Sequence, residues 1–446
     1  MSGRNSDFLR TFSTADAEAA SRVYRHGMFD EPRDAATRFL LELARALHVH
    51  GTPAHDLERL LSTVARRLGL KAEFFSTPTS LMVGLGDMPT QQVRLMRVDP
   101  GTPNLGHLSA LDAVTRDVVE GRISAHEGLA RVRQLLASPQ RWPVWLQVLA
   151  FVLASAAVAS FLRLRVGDLF VASVLGLVTS SIAMMTARVT RLAHVTEALA
   201  AFVVTTIAIV FDTLNGRDSG YLTALAGLVV LLPGLTFTVA LTELSTRHLA
   251  SGTARMSGAL VVFLGLGFGL ALGAGTGKII GSMLIDTLGP VTGPWSSGAA
   301  LPNGIEWLGV VVAALAFAVL LNAEARHAGR IVLACLVAYV THRFTGAAMG
   351  DELAAFVSAA VVTAMSNVLA ISRQTSSMVT AVPGLLILVP GSIGFRSVSS
   401  FIGAEVEAGI STAFHVAIIG ISIAAGIVAG NVLSGEGDTV HKESAA

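Results

Sequence analysis

Leu231-Leu232-Pro233-Gly234 and Leu388-Val389-Pro390-Gly391 each place a Pro-Gly pair in the middle of a long apolar segment. Proline has no backbone N–H and clashes with the preceding turn, so a helix kinks or breaks there. In lipid, such a break is tolerated only where other protein or a water-filled cavity satisfies the freed backbone groups. Two breaks of this kind in one chain point to a transport site.

The composition places these breaks in a membrane protein. Of the 446 residues, 52% are hydrophobic and 14% are charged, against about 25% charged in soluble domains. Charges run through residues 1–140, whereas from Trp142 onward the chain is a series of apolar segments of about 17–22 residues, enough to cross a hydrocarbon core. We therefore predict an α-helical polytopic membrane protein preceded by a small soluble α+β domain. The net charge of +1 indicates no nucleic-acid partner.

The sequence carries few targeting or redox signals. The polar N-terminus has no apolar h-region, so we expect no cleaved signal peptide. The chain has a single cysteine, Cys335, which lies in an apolar segment. Because there is only one, an intrachain disulfide is excluded.

The N-terminal region is predicted to form a flexible tail over residues 1–32 and an α+β domain over residues 33–141. Hydrophobic periodicity predicts two helices, three strands and two more helices, over residues 35–48, 54–68, 71–76, 81–86, 92–98, 104–120 and 124–137. The domain shows no nucleophile elbow, zinc-protease helix or kinase signature. We therefore expect a regulatory, gating or assembly role, and neither an enzyme nor a cofactor.

Three histidines of this domain, His48, His50 and His55, lie close together in the sequence. No cysteine or carboxylate completes a recognisable ligand spacing, and the residues between the second and third histidines are loop-like. We therefore expect no metal site.

The membrane region is predicted to hold ten spans, at about 143–162, 168–187, 193–211, 219–241, 256–276, 306–323, 329–345, 351–371, 378–401 and 412–433. They define a first five-helix repeat over residues 142–276, a Gly/Pro-rich linker over 277–305, a second repeat over 306–433 and a polar tail over 434–446. Arginines before the first span and in the loops on the same side favour a cytoplasmic N-terminal domain. Ten spans then return the C-terminus to the cytoplasm.

The two breaks hold equivalent places in this series. Pro233 lies in the fourth span, and Pro390 lies in the ninth, which is the fourth of the second set of five. Because five is odd, two such halves have opposite orientations across the membrane. This is an inverted-topology repeat, a common architecture of secondary transporters, with substrate bound near the midplane between the repeats.

The fifth span carries a glycine at every fourth position, at Gly265, Gly269, Gly273 and Gly277. This spacing allows two helices to approach closely. The end of the run, before Lys278, only faintly resembles a phosphate-binding loop, because the required first glycine and the Ser or Thr after the lysine are missing. The sequence therefore disfavours ATP-driven transport.

Polar residues in and near the spans are the candidate site. A buried amide in the eighth span either binds substrate or ties helices together, and carboxylates at the ends of spans either are solvated or have a function. The residues concerned are Thr236, Thr238 and Glu243 after the first break, Ser392, Arg396 and Ser397 after the second, Asp168, Asp212 and Asn367.

Short motifs follow one another in a specific order along nearly the whole chain. They are His50-Gly51-Thr52-Pro53-Ala54, Arg67-Leu68-Gly69, Phe75-Ser76-Thr77-Pro78-Thr79-Ser80-Leu81, Arg97-Val98-Asp99-Pro100-Gly101, Asn104-Leu105, Gly121-Arg122-Ile123-Ser124, Leu232-Pro233-Gly234, Ser251-Gly252-Thr253-Ala254-Arg255 and Val389-Pro390-Gly391-Ser392. In this order they resemble the bacterial threonine/serine exporter family, over about residues 33–435. That family often has an aspartate where Glu243 stands, so the carboxylate is kept.

The resemblance implies an antiporter that exports L-threonine and L-serine across the bacterial cytoplasmic (inner) membrane, driven by the proton motive force. The half-helix ends at Pro233-Gly234 and Pro390-Gly391 would offer backbone groups to a zwitterion. Hydroxyls of Thr236, Thr238, Ser392 and Ser397 would bind the substrate hydroxyl, with Asn367 and Arg396 beside them. Asp212 and Glu243 are the candidates for binding the coupling proton.

Other functions stay open at this point. Some members of the family are split into two chains near the central linker and are associated with organic-acid transport. A dicarboxylate transporter or channel on the same scaffold is therefore one alternative. Another is a membrane-anchored sensor that works through its N-terminal domain. Homo-oligomerisation also stays open.

Overall fold

A computed structural model of the chain describes residues 31–99, 101, 103–189, 195–289, 300–373, 375–388 and 406–435. The second break, Pro390-Gly391, lies outside the described residues, as do Ser392, Arg396 and Ser397. Their expected contributions to a site therefore stay predictions.

The N-terminal unit, residues 31–136, has the predicted order of two helices, three strands and two helices. Its elements are α1 (Glu31–Val49), α2 (Ala54–Arg67), β1 (Ala72–Thr77), β2 (Ser80–Leu85), β3 (Gln92–Arg97), α3 (Leu105–Val119) and α4 (Ala125–Leu136). The strands form an antiparallel meander in which Thr77 pairs with Ser80 across the first turn. Ser124 caps α4, since its hydroxyl accepts the Glu127 N–H at 3.2 Å.

The core of this unit continues into the membrane helices. Phe39, Leu57 and Leu111 are fully buried between its helices, and the same apolar cluster extends to Val310 and Ile331 of the membrane region. Backbone bonds follow the same route, because the Leu105 N–H donates to the Leu321 carbonyl at 2.9 Å. The N-terminal unit is therefore packed directly onto the membrane helices.

The membrane region is helical throughout its described part. Its elements are α5 (Val144–Phe161), α6 (Val166–Ala187), α7 (Thr196–Leu214), α8 (Gly220–Leu228), α9 (Gly234–Ser245), α10 (Leu249–Leu288), α11 (Ile305–Leu320), α12 (Ala328–Met349), α13 (Asp351–Arg373), α14 (Met378–Leu388) and α15 (Val406–Leu433). Seven helices in the described part are long and apolar enough to cross a membrane, or eight if the bent pair around Pro233 is one span; α11 and α14 are shorter apolar helices. The chain is thus a polytopic helical membrane protein, and the number ten stays a prediction.

The first break occurs where the sequence places it. A 3-10 turn at Val229–Leu231 follows α8, Leu232 is extended, and Pro233 caps α9. The two parts of this segment, Gly220–Leu231 and Gly234–Ser245, are bent by 61°. A further Pro-Gly pair, Pro383-Gly384, lies within α14 and was overlooked in the sequence.

The glycines of α10 form the close helix contact that their spacing predicts. A Cβ on Gly273 would lie 2.6 Å from the carbonyl oxygen of Phe202 on α7, and one on Gly277 would lie 2.9 Å from that of Thr206. The stripe continues to Gly281, which faces Thr213. Helix α10 continues past this contact to Leu288. The first part of the predicted linker, residues 277–305, is therefore helix.

Replacing Gly273 with valine is expected to force α7 and α10 apart, since the new side chain meets backbone that cannot rotate away. Overpacking of this kind costs about 1–3 kcal/mol. Thermal unfolding of the purified protein measures the effect. The matched control is Gly275→Val on the same helix, where a Cβ would meet nothing within 4 Å. Equal destabilisation by both variants would contradict the close contact.

Candidate functional site

A cavity of about 660 Å³ lies between the N-terminal unit and the ends of the membrane helices. Helices α2 and α3 line it on one side, and α9, α13, α14 and α15 line it on the other. Its volume falls in the range of about 300–1,000 Å³ that is usual for small-molecule sites. Both halves of the membrane region contribute to it, since α9 belongs to the first and α13 to the second.

The membrane side of the cavity is lined by polar side chains from both halves. Thr238 and Thr242 lie one turn apart on α9, and Thr363 and Asn367 lie one turn apart on α13, so each pair shares a helix face. The Thr242 hydroxyl donates to the Thr238 carbonyl at 3.0 Å. The hydroxyls of Thr238 and Thr363 are buried and have no hydrogen-bond partner among the described residues. Buried polar groups normally have one, so these two hydroxyls are suited to bind a ligand.

Asn367 joins two membrane helices at the cavity wall. Its side-chain nitrogen donates to Asn431 Oδ1 of α15 at 2.9 Å and to the Ser434 hydroxyl at 2.8 Å. Asn431 lines the cavity as well. Of the two roles predicted for Asn367, the helix tie is therefore present, and its position also allows contact with a substrate.

The N-terminal side of the cavity carries two ion pairs. Arg59 lies 2.8 Å from Asp56 on α2, and Arg116 lies 3.2 Å from Asp112 on α3. Burial raises the pKa of Asp112, and the Arg116 guanidinium opposes that rise. The cavity therefore presents carboxylates and guanidiniums together, as the recognition of a zwitterion requires.

Glu243, a candidate for binding the coupling proton, joins the N-terminal unit to α9. Its side chain is fully buried, and Arg255 Nε lies 3.0 and 3.1 Å from its two oxygens. Its Oε1 also accepts the backbone N–H of Ala54 at 2.9 Å. Ala54 is the first residue of α2, whose own cap residue, Pro53, makes no side-chain cap bond. Glu243 thus supplies the cap from outside the helix, where the helix dipole favours a negative charge.

A second polar contact reinforces this junction. His248, between α9 and α10, lies 3.4 Å from Glu58 on α2. Glu58 also accepts the Ser76 N–H at 2.7 Å. Burial raises the pKa of Glu58, and the Ser76 N–H and His248 oppose that rise.

The three histidines that are close in sequence are dispersed in space. His48 lies 3.2 Å from the Ser76 hydroxyl, His50 lies 3.1 Å from His107, and His55 lies 3.5 Å from Asp56. Burial and then the neighbouring His107 lower the pKa of His50 to about 4. Among the described residues, no three His, Cys, Asp or Glu side chains are placed to hold a metal ion.

Asp212, the other candidate for binding the coupling proton, lies away from the cavity. It accepts the Ser219 N–H at 3.2 Å, and the Ser219 hydroxyl lies between it and Asp168. Arg217 lies 2.9 Å from Asp168. This second polar group is at the start of α8, whereas Glu243 is near the end of α9. The two candidate carboxylates therefore lie at opposite ends of the bent span.

The predicted substrate residues that the structure describes divide into three groups. Thr238 and Asn367 line the cavity; Pro233 and Gly234 form the break that directs α9 toward it; Thr236 is exposed and does not line it. Several other polar side chains of the cavity wall were not predicted from the sequence; among them are Thr242, Thr363, Asn431, Asp56, Arg59, Asp112 and Arg116. A polar residue one turn before Asn367 was the available signal for Thr363.

Comparison with protein families assigns this architecture. A threonine/serine exporter family model matches residues 38–276, and a second model, described as threonine/serine exporter, ThrE, matches residues 306–433. The chain belongs to the threonine/serine exporter family. The two matches cover the N-terminal unit with the first set of helices, and then the second set.

Proteins from yeasts are similar to the chain over much of its length. Proteins named pheromone-regulated membrane protein 10 are 28% identical over 369 residues in Candida albicans and 26% identical over 369 residues in Saccharomyces cerevisiae. Each match covers 81% of this chain, but 33% and 47% of the respective relative. The chain thus spans between a third and a half of the length of these relatives. No solved structure matches the chain.

Proposed function

We propose that this protein exports L-threonine and L-serine from the cytoplasm and that the cavity binds them. The observation that carries the proposal is the composition of the cavity wall. Paired carboxylates and guanidiniums on α2 and α3 face unpartnered hydroxyls on α9 and α13. Membership of the exporter family supports the same function.

Each part of a hydroxylated amino acid has a suitable partner in this wall. The substrate ammonium group would bind Asp56 or Asp112, and its carboxylate would bind Arg59 or Arg116. Its hydroxyl would bond to Thr238 or Thr363. An apolar substrate would leave these buried hydroxyls unpaired, which costs about 1–3 kcal/mol for each group. Selectivity for threonine over valine follows from that cost.

The packing of the helices supports an inverted repeat as the framework for transport. Three helix pairs of the first half have counterparts in the second half. In the first half, α5 packs on α6, α6 on α8, and α7 on α10. In the second half, α11 packs on α12, α12 on α14, and α13 on α15. Gly430 of α15 meets the Ala360 carbonyl of α13, as Gly273 of α10 meets that of Phe202. In this proposal the two halves move around the cavity that they share.

The orientation and the driving force complete the proposal. Arginines in the loops beside the N-terminal unit favour the cytoplasm for that side. The cavity then receives substrate from the cytoplasm, and protons moving inward drive export across the cytoplasmic membrane.

Counterflow tests the substrate. Proteoliposomes that hold the full chain and are loaded with unlabelled L-threonine are expected to accumulate labelled L-threonine. External L-serine is expected to compete with the labelled threonine. L-valine has the shape of threonine without the hydroxyl, and its competition is expected to be weaker by about tenfold or more. Protein-free liposomes are the control. Exchange of succinate without exchange of threonine would replace the proposal with the dicarboxylate transporter, and no exchange at all would favour the sensor.

A further inference from the structure

The end of the bent span away from the N-terminal unit carries a buried polar group that does not line the cavity. Helix α9 meets the N-terminal unit at Glu243, so α8, the other half of the span, begins at the opposite end of the helix bundle. There Asp168 at the start of α6, Asp212 near the end of α7 and Ser219 before α8 converge. We call Asp168 and Asp212 the aspartate pair.

The hydroxyl between the two aspartates favours a bound proton. Ser219 Oγ lies 3.1 Å from Asp168 Oδ1 and 3.3 Å from Asp212 Oδ1. A hydroxyl has one hydrogen to donate, and an ionised carboxylate only accepts. With both carboxyl groups ionised, that hydrogen is shared between two anions in a weak three-centre bond. A proton on one carboxyl group, donated to Ser219 Oγ, makes both contacts full hydrogen bonds.

The charges around the pair lead to the same count. The side chains of Arg217 and Asp168 are 3% and 4% exposed, and they lie 2.9 Å apart. Asp212 is 8% exposed, and no cation of the described part of the chain lies within ion-pair distance of it. With both aspartates ionised, the buried charge of Asp212 would be balanced only by hydrogen bonds from Ser219 and Gly220 and by no cation, which is unfavourable. Since Arg217 faces Asp168, the proton belongs on Asp212.

The surroundings of the pair include no second buried cation in the described ranges. Both terminal nitrogens of Arg217 are buried and make no hydrogen bond among the described residues, so Nη1 meets Asp168 by charge and proximity alone. Helices α5 and α8 bring no charged side chain to this end. At this end of the bundle, the other charged residues on or next to the helices packed here are exposed; they are Arg163, Arg165, Asp218, Lys278 and Asp286.

We propose that Asp212 binds the coupling proton of the exporter and that the Asp168–Arg217 ion pair is the fixed partner it faces. This proposal rests on the proposed function. The proton comes from water at the face away from the N-terminal unit and is released to water on the cytoplasmic side, and only O–H bonds form and break. When Asp212 loses its proton, the Ser219 hydroxyl has one hydrogen to donate to two carboxylate anions. Ser219 precedes α8, so the change acts on the segment that leads to Pro233 and Thr238.

Transport in proteoliposomes tests the assignment. The wild-type protein is expected to accumulate labelled L-threonine under an imposed pH gradient and also to exchange it by counterflow without a gradient. Asp212→Asn keeps the shape of the protonated carboxyl, so counterflow is expected to persist while gradient-driven accumulation falls about tenfold or more. Asp218→Asn, which changes an exposed aspartate of the same loop, is expected to retain both activities. Gradient-driven accumulation by Asp212→Asn at the wild-type level would overturn the proposal.

A measurement without transport separates this proposal from the proposed function. If the folded protein holds a proton that the unfolded chain releases, the melting temperature of wild type falls as the pH rises from about 5 to about 8, relative to that of Asp212→Asn. Asp218→Asn is expected to follow wild type. If the melting temperatures of wild type and Asp212→Asn change in parallel with pH, Asp212 does not hold the proton. This conclusion applies also if the variant has lost counterflow. If the two melting temperatures diverge with pH but the wild-type protein does not transport threonine, the proton site is supported and the substrate assignment is wrong.

Discussion

Replacing Glu243 with leucine is expected to release the start of α2 from the membrane helices and to destabilise the protein strongly. The variant removes both the partner of Arg255 and the acceptor of the Ala54 N–H. Breaking a buried ion pair by removing one member typically costs about 3–5 kcal/mol, because the remaining charge is uncompensated. The measurements are thermal unfolding and hydrogen exchange of the α2 amides.

Two further variants resolve the contributions of Glu243. Glu243→Gln keeps an oxygen for the Ala54 N–H and removes only the charge, so its effect is expected to be smaller than that of Glu243→Leu. Glu352→Gln is the control, since Glu352 forms an exposed pair with His415 at 3.2 Å, and surface pairs contribute about 0–1 kcal/mol. Unchanged exchange protection of α2 in Glu243→Leu would show that Glu243 does not anchor the N-terminal unit.

Replacing Thr238 with valine is expected to weaken threonine binding and to reduce the discrimination against valine as a substrate. The substitution keeps the side-chain shape and removes a buried hydroxyl that has no partner among the described residues. A neutral hydrogen bond contributes about 0.5–1.5 kcal/mol, which corresponds to a two- to about tenfold loss of affinity. Competition in the counterflow assay measures both quantities.

Thr242→Val is the matched control for this experiment. Thr242 lines the same cavity one turn further along α9, but its hydroxyl already donates to the Thr238 carbonyl. Its loss is therefore expected to change the competition by L-serine and L-valine much less. Equal effects of the two variants would mean that the free hydroxyl is not what recognises the substrate.

The helical membrane fold could be predicted because its determinants are local. Apolar segments of membrane length, the break at Pro233 and the glycine spacing of α10 depend on neighbours within a few turns of helix. The same holds for the N-terminal unit, where changes of hydrophobic period place the helices and strands within a few residues of those observed. The end of α10 could not be predicted, because its glycines disfavour a helix locally and their close contact with α7 is not visible in the sequence.

The role of each polar residue depends on partners that are distant in the sequence. Thr236 and Thr238 looked equivalent, but they lie on opposite sides of α9, and only Thr238 reaches the cavity. Glu243 and Asp212 looked like alternative proton carriers, but one caps a helix of the N-terminal unit and the other shares Ser219 with Asp168.

The sequence by itself determined a helical membrane protein with a helix break in its fourth span and an N-terminal α+β unit. Only the tertiary structure placed Asp56, Arg59, Asp112 and Arg116 over the membrane helices, and so created a cavity with charges on one side and hydroxyls on the other. Hydrophobic pattern and backbone propensity act over a few residues and can be read along the chain. The pairing of buried charges and hydroxyls depends on which distant segments meet, and only packing decides that.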